Sequence, residues 1–171
     1  IHPVQTDGGH PLVRSWRLAA LAVGAELGED GPDPEHEPVE CAAWLASHAG
    51  SVAVETVVAR LRNARSGFMW PWETAPQSIA SGILDDETYD WRLIVETMLA
   101  SGGHPIVVDD PLLTTAKAAA DAVCERAVCH TGASGLAGVL ALRSRNQFAA
   151  GQRIGVILSG QDRSTADATG G

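Results

Sequence analysis

The amino-acid sequence predicts an α/β fold in which helices pack on a parallel or mixed sheet. Segments with apolar residues at helical spacing alternate with short apolar runs that are bounded by glycine, proline or aspartate, a pattern typical of this fold class. Of the 171 residues, 45% are hydrophobic and 19% are charged. The chain therefore has enough apolar surface to form a core, and its composition is not that of a disordered protein.

The first half of the chain is predicted to contain one short strand and two helical regions. Residues 1–5 form an extended segment that a turn at residues 7–9 separates from a helix. Residues 29–40 are acidic and contain three prolines, which predicts a solvated loop. A second helical region, from residue 39 to about residue 65, is expected to break near Gly50. The apolar face of the first helix consists of Leu12, Trp16, Ala19, Ala20, Val23 and Leu27.

The second half begins with an irregular stretch, residues 66–87, that contains the Trp70-Pro71-Trp72 motif. This motif predicts either a plug in the core, which we favour, or an aromatic wall beside a substrate. Asp110 and Pro111 are the expected start of one of the later helices. Helices are predicted over residues 88–100, 110–127 and 134–147, and strands over residues 105–108 and 154–158.

Charge and cysteine content exclude several classes of function. The net charge is −9, with 21 acidic and 12 basic residues, so we expect neither nucleic acid nor an anionic membrane surface as a partner. The three cysteines have no regular spacing, which predicts no disulfide framework and favours a reducing, cytoplasmic compartment. Cys124, Cys129 and His130 do not have the spacing of a structural zinc site, so no metal is expected.

Two segments contain residues that could bind a ligand. Residues 129–138 form a polar turn that leads into a helix whose first turns are rich in small residues. Such a helix start lets a flat ring approach and offers free N–H groups to an anion, but tight packing under a strand explains the same residues. Ser159 follows the predicted strand 154–158, at the end where ligands of α/β proteins collect, although a Ser-Gly pair is also common in turns.

Together these segments resemble the end of fold-type-II pyridoxal-phosphate enzymes of the threonine-synthase-like kind. Five motifs occur in the order that this family has, and they span residues 1–162, nearly the whole chain. The motifs are Val4-Gln5 with Pro11-Leu12-Val13-Arg14, Ser78-Ile79-Ala80-Ser81-Gly82-Ile83, Ser101-Gly102-Gly103 with Val107-Val108-Asp109-Asp110, the Thr131-Gly132 helix start with Gly135-Leu136-Ala137-Gly138, and Val156-Ile157-Leu158-Ser159-Gly160.

The resemblance implies part of a mostly parallel, three-layer sheet of the tryptophan-synthase-beta-like kind. It implies that Ser159, Gly160, Thr131 and Gly132 bind pyridoxal 5'-phosphate, with the Ser159 hydroxyl on the pyridine nitrogen. A neutral hydroxyl leaves that nitrogen largely unprotonated, which suits β- or γ-elimination or replacement better than transamination. The residues that the resemblance places on the substrate side are Ser78, Ala80 and Ser81. The implied substrate is a small amino acid.

The resemblance also implies that residues 1–163 are the C-terminal part of a catalytic fold. Residues 164–171 are small and polar, which predicts a disordered tail. The Schiff-base lysine and the phosphate-binding loop of this family lie in an N-terminal half, which we expect to be a partner of this chain in a homodimeric enzyme. Lys117, the only lysine, is expected on a solvated helix face without a catalytic role. Without that half we expect exposed apolar surface around Val4, Ile79 and Ile83. The alternative is a non-catalytic α/β module that keeps the fold without the chemistry.

Overall fold

The computed structural model describes residues 1–162, which divide into two compact units. The helical unit comprises Ile1–Pro3, His10–Ala75 and Asp85–Pro105. Within the described residues, the α/β unit comprises Val4–Gly9, Pro76–Leu84 and residues 106–162. Each unit has a hydrophobic core of its own. The predicted tail, residues 164–171, lies outside the described residues.

Four α-helices build the helical unit, and they agree with the periodicity of the sequence. The predicted break near Gly50 is confirmed, because Ser51 starts a new helix and its hydroxyl accepts a hydrogen bond from the Val54 N–H at 3.3 Å. The two helices on either side of this break are bent by 109°. The helices are α1 (Pro11–Leu27), α2 (Pro38–Ser47), α3 (Val52–Asn63) and α4 (Trp91–Ser101).

The core of this unit is formed by the predicted face of α1 and by apolar residues of the other three helices. Trp16, Ala19 and Val23 of α1 are almost completely buried, and so is Leu45 of α2. Cys41 belongs to the same core, and burial raises the pKa of its thiol to about 11. The spacing of three to four residues along α1 therefore predicted the buried face correctly.

The buried Cys41 thiol is expected to be far less reactive than the other two cysteines. Its raised pKa keeps it protonated near pH 8, where an ordinary thiol is already partly ionised. Stability that Cys41 contributes by staying neutral is present below its unfolded pKa and is lost as the pH rises toward 11. Maleimide labelling of the native chain at pH 8, followed by peptide mapping, should modify Cys124 and Cys129 well before Cys41. Equal labelling rates at all three would contradict this assignment.

The Trp-Pro-Trp motif does not plug the core, so that interpretation was wrong for Trp70. The Trp70 indole is 36% exposed and stacks under the Arg14 guanidinium, 3.8 Å from its ring centroid. Arg14 also donates to the Trp70 carbonyl at 2.5 Å and pairs with the Glu73 carboxylate. An arginine on α1 can hold the irregular segment by both charge and stacking, which apolar periodicity alone does not reveal.

The α/β unit has a two-stranded parallel sheet and two α-helices. Strand β1 (Val4–Thr6) pairs in parallel with β2 (Ile106–Val108), with Val4 opposite Ile106. Helices α5 (Asp110–Asp121) and α6 (His130–Ser144) pack against each other, and α6 also contacts both strands. A Cβ atom on Gly138 would lie 2.6 Å from Val4 Cγ2. A side chain at this position would therefore force the Val4 side chain or the helix to shift where α6 crosses β1. The α/β class is thus confirmed with a small parallel sheet.

Several features of this unit differ from the sequence predictions, among them the end of α5 at Asp121 and not at residue 127. Asp109, and not Asp110, is the N-cap of α5, and its carboxylate accepts from the Leu112 N–H at 2.9 Å. Helix α6 begins at His130, four residues earlier than predicted. Residues 154–158 are not a strand, because the described residues provide no neighbouring strand with which their backbone can pair. An apolar run predicts a strand only where a sheet edge is available to it.

Candidate functional site

The residues of the predicted cofactor site converge at the start of α6. Cys129 is the N-cap of this helix, and its Sγ accepts a hydrogen bond from the Gly132 N–H at 3.3 Å. Thr131 and Gly132 consequently lie in the first turn of the helix and not in the preceding loop. This position leaves their backbone N–H groups at the positive end of the helix dipole.

Gly132 and Gly160 are in backbone contact. A Cβ atom on Gly132 would lie 2.3 Å from the Gly160 carbonyl oxygen, and a Cβ on Gly160 would lie 2.5 Å from Cys129 Sγ. The Cys129 N–H donates to the Gly160 carbonyl at 3.2 Å, and the Asp162 N–H donates to the Ala127 carbonyl at 2.9 Å. Two glycines therefore allow the end of the chain's last described segment to lie directly on the start of α6.

The loop that carries the predicted substrate-side residues meets the same helix start. The Gly82 N–H donates to Thr131 Oγ1 at 3.0 Å. A Cβ on Gly82 would lie 2.9 Å from the Thr131 side chain. Thr131 thus uses its hydroxyl to position the short helical turn Ser81–Ile83 against α6. Ser81 itself is exposed.

Ser78 and Ala80 have structural partners within the unit. The Ser78 hydroxyl donates to Asp110 Oδ1 at 2.5 Å and accepts from the Ala80 N–H at 3.2 Å. Asp110 also accepts from the Ile79 N–H at 3.2 Å. Ala80 is completely buried and packs in the core of the α/β unit. These contacts give the loop a defined backbone and leave Ser81 as its exposed hydroxyl.

Ser159 is exposed and lines a groove of about 460 Å³ together with Gly160. Within residues 1–162 no group hydrogen-bonds its hydroxyl. The groove is also lined by Cys124, Val128 and Leu158. Neither Thr131 nor Gly132 lines this groove. Of the four residues predicted on the cofactor side, Ser159 is the one that offers a free side-chain group to a ligand, while Gly132 and Gly160 bring it beside α6.

Lys117 is held by two carboxylates of the same unit. Its Nζ lies 2.7 Å from Asp121 Oδ2 and 3.6 Å from Asp162 Oδ2. The hydrogen bond to Asp121 raises the pKa of the Lys117 amine. A lysine that attacks a carbonyl needs the opposite shift, because the protonated amine is not a nucleophile.

The sequence motifs included Asp110, Cys129 and Gly82, but they did not predict the contacts that these three residues make. The sequence signal for Asp110 was its position next to Asp109, directly before Pro111. Two consecutive aspartates allow Asp109 to cap α5 while Asp110 binds the Ser78 hydroxyl of the neighbouring loop. The signal for Cys129 was its spacing of three residues from Gly132, which is that of an N-cap. Gly82 gave no signal beyond its place in the family-like motif.

Residues 1–162 contain neither a candidate metal-binding cluster nor a single helix that could cross a membrane. No group of three or more His, Cys, Asp or Glu side chains there is arranged to hold a metal ion. No single helix in this range combines the length and hydropathy needed to cross a membrane, and α2 and α3 reach them only when taken together across their bend.

Neither a protein-family model, nor a curated protein, nor a solved structure matches this chain. A function for this chain therefore has to be inferred from its residues and their geometry.

Proposed function

We propose that this chain is the C-terminal part of a pyridoxal-phosphate-dependent lyase or synthase of the threonine-synthase-like kind. The proposed enzyme acts on a small amino acid by β- or γ-elimination or replacement. Its lysine and phosphate-binding loop belong to an N-terminal half, and the complete enzyme is a homodimer with a three-layer, mostly parallel sheet.

The observation that carries this proposal is the convergence of separate motifs on one helix start. Three segments that are far apart in sequence meet at residues 129–132: the Ser78–Ile83 motif through Gly82, the α6 motif itself, and the final motif through Gly160. These are three of the five motifs on which the sequence resemblance depends. Their meeting supports one site, to which each of the three contributes.

The parallel pairing of β1 with β2 gives further support. These strands belong to the first and third motifs, and α6, which belongs to the fourth, packs on both. In parallel sheets, ligands lie beyond the carboxyl ends of the strands. A larger parallel sheet requires further strands beside this pair, which is what the proposed N-terminal half supplies.

The residues present fit one edge of the cofactor. The Ser159 hydroxyl is exposed beside a groove and can accept or donate one hydrogen bond, as the pyridine nitrogen requires. When bound, pyridoxal phosphate supplies an electron sink for a carbanion at the substrate Cα. This chain's own contribution is to orient the ring through Ser159 and to shape its surroundings through Gly132 and Gly160.

A non-catalytic module is the second candidate, and the state of Lys117 is the observation that favours it. Because Lys117 is protonated and paired with Asp121 and Asp162, this chain has no lysine to hold the cofactor. The two candidates differ in the coding sequence upstream of Ile1. A lysine after a strand, followed by a glycine-rich loop, supports the enzyme; an upstream sequence with neither, and no partner polypeptide carrying them, supports the module.

Replacing Ser159 tests the proposed enzyme directly. In the complete enzyme, Ser159→Ala should weaken cofactor binding by about 1–3 kcal/mol, because the ring nitrogen loses its partner in a dry pocket. Ser159→Thr keeps the hydroxyl and should bind the cofactor nearly as well as the wild type. Cofactor affinity and turnover are measured for the three proteins. Equal affinity and turnover of Ser159→Ala and wild type would remove Ser159 from the site.

The isolated chain provides a control for the role of lysine. Residues 1–171 mixed with pyridoxal phosphate should show no visible absorbance from a lysine adduct, and borohydride should trap none at Lys117. A trapped adduct on Lys117 would show that the chain holds the cofactor by itself, against the proposed division between two halves.

A further inference from the structure

The segment 152–160, here called the extended segment, has an open backbone and an apolar surface. Within residues 1–162, no backbone N–H or C=O group of residues 153–159 takes part in a hydrogen bond. The segment carries four of the large hydrophobic side chains that the structure exposes. Their exposures are 43% for Ile154, 36% for Val156, 84% for Ile157 and 38% for Leu158.

One side of the extended segment lies along α6. Gly160 meets Gly132 at the start of the helix, and a Cβ on Gly135 would lie 3.3 Å from the Ile157 carbonyl oxygen and from Val156 Cγ1. The segment therefore runs antiparallel to α6. Contact with a helix does not satisfy its backbone groups, because the helix uses its own N–H and C=O groups internally. The unpaired groups are available to another strand.

The charges around this segment differ from those of the rest of the chain. Residues 127–161 contain no Asp or Glu but contain Arg143, Arg145 and Arg153, all exposed. None of these three arginines makes an ion pair within the described residues. In the helical unit, by contrast, each of the six arginines pairs with a carboxylate. The guanidinium groups of this region therefore have no carboxylate in ion-pair contact within the described residues, although Asp7 and Asp109 line the same groove as Arg145.

We propose that the extended segment accepts one strand of another polypeptide, and that this strand carries apolar side chains together with carboxylates. The apolar side chains cover Ile157 and its neighbours, the backbone groups pair in the manner of strand addition, and the carboxylates meet the three arginines. A lipid surface fits less well, because hydrocarbon offers no partner to the N–H and C=O groups of residues 153–159. A second copy of the segment brings one arginine, Arg153, and no carboxylate.

This inference goes beyond the proposed function, since it requires neither the cofactor nor Ser159. Its test therefore uses the 171-residue chain without pyridoxal phosphate. Failure of cofactor binding leaves the docking of a strand unaffected, and failure of docking leaves the role of Ser159 open to its own test.

The experiment measures binding of labelled synthetic peptides by fluorescence anisotropy. One peptide alternates valine with glutamate and its matched control alternates valine with lysine, so that both have the same strand propensity and apolar content. The wild-type chain should bind the glutamate peptide about tenfold more tightly than the lysine peptide. In the variant Arg143→Glu, Arg145→Glu, Arg153→Glu this preference should reverse. All three positions are exposed, so the variant should keep the fold.

A second variant separates apolar from electrostatic binding. Ile157→Ser removes the most exposed apolar side chain of the extended segment and should weaken the binding of both peptides about tenfold. Circular dichroism of each variant confirms that the helices are retained. Light scattering tests whether a second copy of the chain occupies this surface, and binding to vesicles that contain phosphatidylserine tests whether a lipid surface does.

Three results would overturn the proposal. Equal binding of the two peptides, or none, would show that charge and backbone pairing do not select a strand. A concentration-dependent dimer that Ile157→Ser disperses, and that the glutamate peptide does not, would assign the surface to a second copy. Capture by phosphatidylserine vesicles that the glutamate peptide does not compete away would assign it to a lipid surface.

Discussion

Replacing Gly132 with alanine is expected to separate the extended segment from the start of α6. The new Cβ would lie 2.3 Å from the Gly160 carbonyl oxygen and 2.6 Å from the Gly160 nitrogen, and backbone atoms cannot rotate away as a side chain does. Alanine gains about 1 kcal/mol over glycine within a helix, but overpacking costs about 1–3 kcal/mol. We expect the clash to prevail and the hydrogen bond from the Cys129 N–H to Gly160 to be lost.

Hydrogen exchange and limited proteolysis measure this separation. The Cys129 and Asp162 amides, which pair with Gly160 and Ala127, should exchange faster in the variant, and trypsin should cleave faster after Arg153. Gly135→Ala is the matched control, because its Cβ would lie no closer than 3.3 Å to Ile157 or Val156. Unchanged exchange at Cys129 in Gly132→Ala would mean that the contact with Gly160 does not hold the two segments together.

The helices could be predicted from the sequence because the buried face of a helix is encoded by residues that are close together in the sequence. Along α1, residues that face the core recur every three or four positions. Trp16, Ala19 and Val23 therefore predict one buried face even when the helices that pack against it are unknown. The final apolar run, residues 154–158, was predicted as a strand on the same kind of evidence, and that prediction was wrong. A strand depends on a second strand for its hydrogen bonds, and a segment's own residues do not tell whether that second strand is present.

The candidate site was predictable in its members but not in their roles. The motifs pointed to Thr131, Gly132 and Gly160, and the structure brings these residues together. Their observed contacts, however, are with other segments of this chain: the Thr131 hydroxyl accepts from the Gly82 N–H, and Gly132 and Gly160 pack closely on each other. Such roles depend on distances between segments that are far apart in sequence, which the residue pattern does not contain. Whether Ser159 binds a cofactor stays a prediction.

The two units also differ in what stabilises them, which bears on how they unfold. The helical unit buries large side chains, among them Trp16, Leu45 and Leu61. The core of the α/β unit contains many alanines. At Gly138 the helix backbone closely approaches the Val4 side chain, and at Gly132 it closely approaches the Gly160 backbone. A core of small residues gains less from each side chain that it buries. Cavity-forming substitutions should therefore cost most in the helical unit.

Leu45→Ala should lower the free energy of unfolding of the helical unit by about 2–5 kcal/mol. Leu45 is completely buried in the core that α1, α2, α3 and α4 share, so truncation removes its transfer free energy and leaves a cavity. Leu21→Ala is the matched control, because the Leu21 side chain on α1 is 60% exposed and should cost about 0.5 kcal/mol or less.

Tryptophan fluorescence during urea unfolding measures this effect in one unit alone. All five tryptophans, at positions 16, 44, 70, 72 and 91, belong to the helical unit, so the fluorescence transition reports on that unit, whereas circular dichroism reports on both. Leu45→Ala should move the fluorescence midpoint to lower urea concentration at an unchanged slope. If the helices of the α/β unit unfold independently, part of the dichroism change should stay at its wild-type midpoint. A fluorescence midpoint that Leu45→Ala and Leu21→Ala lower equally would show that Leu45 does not lie at the centre of this core.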